Sequence, residues 1–309
     1  MKRAALLVAL LAGCGGDAEL ETVVVYTSVD SIFAESLFAE FTRQTGVRVL
    51  AVYDTEETKA LGLARRILAE RGAPQADVFW NGEIMRTCML EAEGALEPYA
   101  SPSAADIPAA WKTERWTGFG ARARVIVYHT RIADPPRRWE ELTDARWKGR
   151  VAIANPQFGT TAAHAAALYQ LWGAQKARDF FVRLKANDVR IVGGNSHVRD
   201  LVARGECDVG LTDTDDVWVG IDRGDAIQMV EAEPRVLIPN TAGLISGAPH
   251  PQTARKFLDF LVHADREKMM AEGRARQIPL RGTPASSIDW ARAHAGSEAA
   301  LKEIKSLGY

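Results

Sequence analysis

Three carboxylates fall within four positions at Asp213, Asp215 and Asp216, directly after the apolar run Val209-Gly210-Leu211. Like charges this close repel unless something neutralises them, so the run offers oxygen ligands for a hard metal or acceptors for an amine. The same side chains would alternatively cap a helix from Val217 onward or pair with arginines. A second group, Gly159-Thr160-Thr161, opens an alanine-rich helical stretch. Free backbone N–H groups, two hydroxyls and the positive end of a helix dipole make such a start a seat for a small anion, with plain capping by either threonine as the alternative. Other chemistries are absent from the pattern. The glycine and closing glutamate of an EF-hand are not in place, the six histidines lack H-x-x-x-H spacing, and neither G-x-S-x-G nor H-E-x-x-H occurs. An exported hydrolase using Asp215 and Asp216 as acid and base is the remote alternative, since neighbours on one segment point apart whereas paired catalytic carboxylates face each other.

The elements that must position these groups alternate between strand and helix. Val23 to Tyr26 reads as a buried strand, and the hydroxyl-rich turn Thr27-Ser28-Val29-Asp30-Ser31 leads into a helix that ends at Gly46. A strand over 47–52, a helix over 56–71 and a strand over 76–80 follow. A longer strand over 120–128 opens a second series: strand 150–154, helix 162–171, helix 174–187, strand 188–192, helix 196–204 and strand 208–212. Strand 242–245, helix 253–262 and further helix close the chain. Alternation of this kind implies parallel sheets with crossover helices, and 309 residues exceed one typical core, so two α/β lobes are expected.

The N-terminus supplies an address. Lys2 and Arg3, an apolar run of about ten residues and Leu11-Ala12-Gly13-Cys14 have the form of a bacterial lipoprotein signal. The run is too short to span a bilayer, which takes about 20 apolar residues, so cleavage before Cys14 and lipidation of Cys14 are expected, with an ordinary secretory signal as the alternative. Gly15 to Glu19 reads as a tether. The chain is therefore expected outside the cytoplasm, periplasmic or at the cell surface, touching membrane through the lipid alone. Its formal charge of −2, made more acidic by loss of Lys2 and Arg3, speaks against a nucleic-acid partner. Cys88 and Cys207 are the remaining cysteines, either a pair or two buried thiols.

Ala76-Asp77-Val78-Phe79, Asn155-Pro156-x-x-Gly159-Thr160-Thr161, Asn195-Ser196, Gly205-Glu206-x-Asp208 and Ala248-Pro249-His250-Pro251-x-x-Ala254-x-x-Phe257-x-x-Phe260-Leu261 stand in an order that resembles the ferric-ion-binding family of ABC-transporter solute-binding proteins. The resemblance covers nearly the whole mature chain. It implies a two-lobed periplasmic-binding-protein type II clamp, α/β throughout, that closes by hinge motion. Residues 1–13 would be signal, 14–22 tether, 23–120 with 235–309 the first lobe and 121–234 the second, hinged near 117–124 and 231–236. Carried position by position, the family's iron-binding His falls on Asp30, its Glu on or near Glu83, and its Tyr pair on Asp215 and Asp216. Both phenolates on which ferric selectivity rests in that family are thereby replaced by carboxylates. Its anion-holding part falls on Gly159, Thr160, Thr161 and Asn195, and the first lobe's turns add Thr27, Ser28 and Asn81, with Trp80 or Trp218 as an apolar wall.

The expected ligand-binding set is thus Thr27, Ser28, Asp30, Asn81, Glu83, Gly159, Thr160, Thr161, Asn195, Asp213 and Asp215, with Asp30, Glu83, Asp215 and Asp216 as metal ligands. The expected function is that of a monomeric, non-enzymatic binding protein serving an ABC permease. Its cargo would be iron or another hard cation held with phosphate or carbonate; a small zwitterionic or phosphorylated organic solute of the aminophosphonate, thiamine or sugar-phosphate type is the alternative.

Overall fold

The computed structural model describes residues 21–29, 31–54, 61–274, 276–284 and 286–309. The signal segment, Cys14 and most of the tether lie outside these residues, as does Asp30. In the first half of the chain, strands β1 (Thr22–Thr27), β2 (Arg48–Tyr53), β3 (Val78–Asn81), β4 (Leu96–Glu97) and β5 (Thr117–His129) enclose helices α1 (Ser31–Thr45), α2 (Leu61–Ala69) and α3 (Ile84–Ala92). Then come β6 (Val151–Ala154), α4 (Gly159–Trp172), α5 (Ala174–Ala186), β7 (Arg190–Val192), α6 (Asn195–Ala203), β8 (Val209–Asp213) and α7 (Thr214–Asp222). The chain ends through β9 (Ile227–Val230), β10 (Leu237–Ile245), α8 (Pro251–Leu261), α9 (Ala264–Glu272) and α10 (Trp290–Ser306).

Ten strands form one continuous, twice-built sheet in the order β2-β1-β3-β10-β5-β8-β6-β7, with β4 on β10 and β9 on β5. Its two ends are parallel: β1 lies between β2 and β3, and β6 between β7 and β8. The middle is antiparallel and is carried by β5, which changes partner along its length. Residues up to Ala123 pair with β10, whereas Arg124 to Tyr128 pair with β8. One strand therefore joins the two halves of the sheet.

The apolar code explains the elements. Val23 and Val25 are fully buried and their strand lies inside a parallel array, as a β-branched run predicts. Gly46 takes φ +74° just past α1, the left-handed conformation that ends helices. Gly120 takes φ +62° in β5, and a Cβ there would meet the Gln277 Oε1 at 2.7 Å, so only glycine lets Gln277 approach the strand.

Three hydrophobic clusters fill the lobes. One gathers Trp139, Phe180, Phe181 and Leu184 in the second lobe and includes Ile304 of α10. Another gathers Met85, Cys88 and Leu90 in the first lobe and includes Trp290 and Ala293 of the same helix. The C-terminal helix thus runs along both lobes, and Tyr309 beyond it donates its hydroxyl to the Phe181 carbonyl at 2.7 Å. At 17 residues α10 is about 25 Å long, enough to reach across. Cys88 and Cys207 are both buried free thiols.

Some boundaries differ from expectation. Helix α7 starts at Thr214 rather than Val217, which puts Asp215 and Asp216 in its first turn. The last predicted strand begins five residues earlier, at Leu237, because Ile238 and Pro239 pair with Arg122 and Ala121 of β5. Strand β9 and helix α3 carry too little periodicity to be read from sequence.

Candidate functional site

Between the lobes lies a cavity of about 130 Å3, lined by Ser28, Gly82, Glu83 and Gln277 on one side, by Asn155, Gly159, Thr160, Thr161, Asn195 and Asp215 on the other, and by Arg122 of the connecting strand β5. Ser28, Gly82, Glu83, Asn155 and Asp215 follow the C-terminal ends of strands that pair in parallel, where open α/β sheets place their ligands.

On the second lobe, β6 runs into a turn in which the Asn155 side chain accepts from the Gln157 N–H, and α4 then starts at Gly159 with φ +54°. Phe158, at the N-cap, makes no side-chain capping bond, and Gly194 at the N-cap of α6 has no side chain to give. The first backbone N–H groups of both helices therefore lack a local side-chain acceptor, and Gly159 to Thr161, Gly194 and Asn195 line the cleft. Threonine capping, the alternative considered for Thr160 and Thr161, is not what their hydroxyls do. Thr160 Oγ1 donates to Asp213 at 2.6 Å and accepts from Arg124 at 3.0 Å and Asn195 at 2.8 Å. Thr161 Oγ1 accepts from Arg124 at 3.3 Å.

Arg124 organises this network. Its side chain is fully buried and meets Asp213 at 2.5 Å, and the second Asp213 oxygen accepts from both Thr160 and Asn195. A buried ion pair must recover a large desolvation cost, and added hydrogen bonds are how it does so. His164, one turn into α4, is held well below its ordinary pKa by burial and by Arg124, so it stays neutral and adds no charge.

On the first lobe, Ser28 donates to the Asn81 side chain at 2.5 Å and accepts from the Gly82 N–H at 3.0 Å, locking the β1 and β3 turns together. Thr27 and Asn81 are fully buried behind the cavity wall, the former accepting from the Val29 N–H. Glu83 lines the cavity, but its carboxylate caps α3, accepting from the backbone of Met85 at 2.7 Å and Arg86 at 3.2 Å.

The acidic corner is less closed. Asp213, Asp215 and Asp216 each present an oxygen within 4.8 Å of the others. Arginines answer their repulsion: Arg124 for Asp213, Arg122 at 3.3 Å for Asp215, and Arg199 at 3.9 Å for Asp216. Burial raises the Asp215 pKa, Arg122 offsets part of that and Asp213 adds to it. Asp216 stands well above the ordinary carboxylate range through burial, then through Asp215 and Asp213. Among the described residues, one oxygen of Asp215, Oδ1, is buried with no hydrogen-bond partner. Such an atom costs free energy until a cation or donor reaches it.

Of the residues singled out from sequence, the cavity brings together Ser28, Glu83, Gly159, Thr160, Thr161, Asn195 and Asp215. Thr27, Asn81, Asp213 and Asp216 stand behind it. Trp80 is buried in the first lobe, and Trp218 lies on the second lobe under Arg276, 4.5 Å from ring centroid to guanidinium. Arg122, Arg124, Gln277 and Phe158 were not foreseen. A signal existed for the arginines: they alternate with Ala121, Ala123 and Val125 in an otherwise apolar strand, so both occupy one face.

Comparison with known proteins places this arrangement. The profile of a family described as bacterial extracellular solute-binding protein matches residues 22–272. Iron uptake protein A1 of Synechocystis is 28% identical over 284 residues, 86% of this chain and 78% of that protein. A periplasmic protein of Salmonella typhimurium named for 2-aminoethylphosphonate binding is 24% identical over 82% of this chain and 77% of its own. Iron-bound HitA of Pseudomonas aeruginosa superposes with a TM-score of 0.83 at 22% identity, covering 94% of this chain and 100% of that one. A Trichodesmium protein, IdiA or FutA, in complex with iron and citrate superposes with a TM-score of 0.79 at 23% identity, covering 93% and 99%.

Proposed function

We propose, from the premise that this chain belongs to the bacterial extracellular solute-binding protein family, that its cleft carries iron or another hard cation together with an anion, for delivery to an ABC permease. Asp215 supports this reading most directly: a buried carboxylate oxygen without a partner among the described residues, in a corner of three carboxylates, lines the same cavity as the uncapped start of α4. The cation would take Asp215 Oδ1, and the anion, phosphate or carbonate, would take the N–H groups at Gly159 to Thr161 and the Arg122 guanidinium. Among the described residues lining the cavity, the carboxylates Glu83 and Asp215 outnumber the one arginine, Arg122, which suits a ligand of net positive charge such as a trivalent cation with its anion. A zwitterion fits less well, because its ammonium group would have to share Asp215 with Arg122 and has no hard-ligand use for the neighbouring carboxylates.

Asp216 would add a further carboxylate oxygen beside Asp215, and Asp30, outside the described residues, would be a further metal ligand by its place in the sequence. The lobes, 23–120 with 235–309 and 121–234, would close about the partner change in β5 between Ala123 and Arg124. Lipidation at Cys14 would hold a monomeric clamp near its permease and raise its effective concentration there. The test is a melting screen of the mature protein against ferric citrate, ferric ion with phosphate or carbonate, manganese, calcium and 2-aminoethylphosphonate. A ligand at a hundred times its dissociation constant adds about 2.7 kcal/mol. The reading predicts that shift for a metal with its anion, and a shift with 2-aminoethylphosphonate alone would replace it.

A further inference from the structure

A second cavity, of about 330 Å3, opens beside the first and lies wholly on the first lobe, between α1, β3 and the end of α9. Leu37, Trp80, Met269 and Met270 wall it, and it shares Phe33 and Gln277 with the polar cleft. Its surface is mainly apolar, and two methionines give it adaptable walls that suit aromatic faces. An engineered apolar cavity of roughly 150 Å3 already binds benzene, so this volume admits a ring or a short branched chain.

A second observation points the same way from the opposite wall. Phe158, at the mouth of the polar cleft on the second lobe, is 48% exposed. Among the described residues no aromatic partner or core cluster covers its ring. Phe33 stands across the same cavity from the first lobe. Phosphate or carbonate would use neither ring. An apolar group on the ligand would meet both as the lobes close, and would lead past Gln277 into the second cavity.

We propose that the anion held in this cleft is an amphipathic organic acid, whose acid groups occupy the α4 start and reach the cation at the Asp215 corner while a compact aryl or alkyl arm enters the cavity walled by Leu37, Trp80, Met269 and Met270. This rests on the reading of the cleft as a seat for a metal with an anion, and names the class of the anion. Arg274, exposed at the cavity rim, would face any distal polar end of the arm.

The test is calorimetric titration with the ferric complexes of acetohydroxamic and benzohydroxamic acid, which differ by methyl against phenyl, and with the same acids free of iron. Ser36 lines the second cavity from the exposed side of α1, so Ser36→Trp fills the space with little risk to folding; Met269→Glu, at a residue 42% exposed, sets a charge in the same wall and is read identically should Ser36→Trp fail to fold. Burial of a ring predicts roughly ten- to hundredfold tighter binding of the benzohydroxamate complex. That advantage disappears in the variant while acetohydroxamate affinity is unchanged. Equal affinities in the unaltered protein, or an advantage undiminished in the variant, overturn the proposal. Iron-free benzohydroxamate binding as tightly as its complex, with the same loss in the variant, keeps the arm and removes the metal. Binding by none of the four overturns both.

Discussion

Two aspartate–arginine pairs join β5 to the corner between β8 and α7, and they have opposite characters. Arg124 and Asp213 are sealed at 2.5 Å, with Thr160 and Asn195 donating to the second carboxylate oxygen. Arg122 and Asp215, two residues along on each element, are looser at 3.3 Å, line the cavity, and leave a carboxylate oxygen without a partner. Identical residue types thus serve as a fastening where all bonds are made inside the protein, and as a receiving group where one is left to make. Since Arg122 pairs its strand residue with β10 and Arg124 with β8, the boundary between the two roles coincides with the change of partner along β5.

The comparison is broken most severely at the fastening. Asp213→Ala strands a buried guanidinium, and loss of one partner of a buried pair typically costs about 3–5 kcal/mol. A urea melt checks this, and a loss below about 1 kcal/mol would show that Arg124 finds other partners. At the receiving pair the effects should exchange. Asp215→Ala is expected to lower affinity for ferric ion with its anion by more than about tenfold, the scale of lost metal-site partners, while stability changes by no more than about 1 kcal/mol, because the burial of a carboxylate with one oxygen unmatched already offsets most of what Arg122 returns.

Asp216 gives a signed prediction. Its folded pKa is raised well above the ordinary value, so folding favours the protonated form; that stabilisation is complete at pH below the usual aspartate pKa and is lost as pH rises through the raised one. Asp216→Asn should therefore raise the melting temperature of the ligand-free protein near neutral pH and leave it unchanged in acid. A lower melting temperature at neutral pH would mean that Arg199 more than balances the burial. The smallest effect is expected at Thr161, whose bonds to Arg124 and Asn195 are long at 3.3 and 3.4 Å. Thr161→Val should cost less than about 1 kcal/mol and leave anion affinity near its original value, because the helix N–H groups remain; a large affinity loss would assign anion binding to the hydroxyl.

Much of this was legible in the residues. The run Val23 to Tyr26 and the helical spacing after it carry enough local information to place β1 and α1, and Gly159-Thr160-Thr161 marks the α4 start. The clustering of Asp213, Asp215 and Asp216 was visible too, but not which of them faces ligand. That depends on partners 89 residues away in the case of Arg124 and Asp213, a distance over which no spacing rule acts. Glu83 shows the converse: a carboxylate placed at the cleft spends its oxygens on the backbone of α3, a use that only local geometry reveals. The apolar second cavity was invisible because α1, β3 and α9 meet there from three separate parts of the chain.

The central claim is that cation and anion occupy the cleft together, the one on Asp215 and the other at the α4 start. Coupling between two such ligands is reciprocal and measurable. Ferric affinity, measured by competition with a chelator at rising phosphate or carbonate, should increase with anion concentration in the unaltered protein, and Asp215→Ala should abolish the cation's part while the α4 start still binds anion. A ferric affinity independent of anion, or one unchanged by Asp215→Ala, would contradict the account.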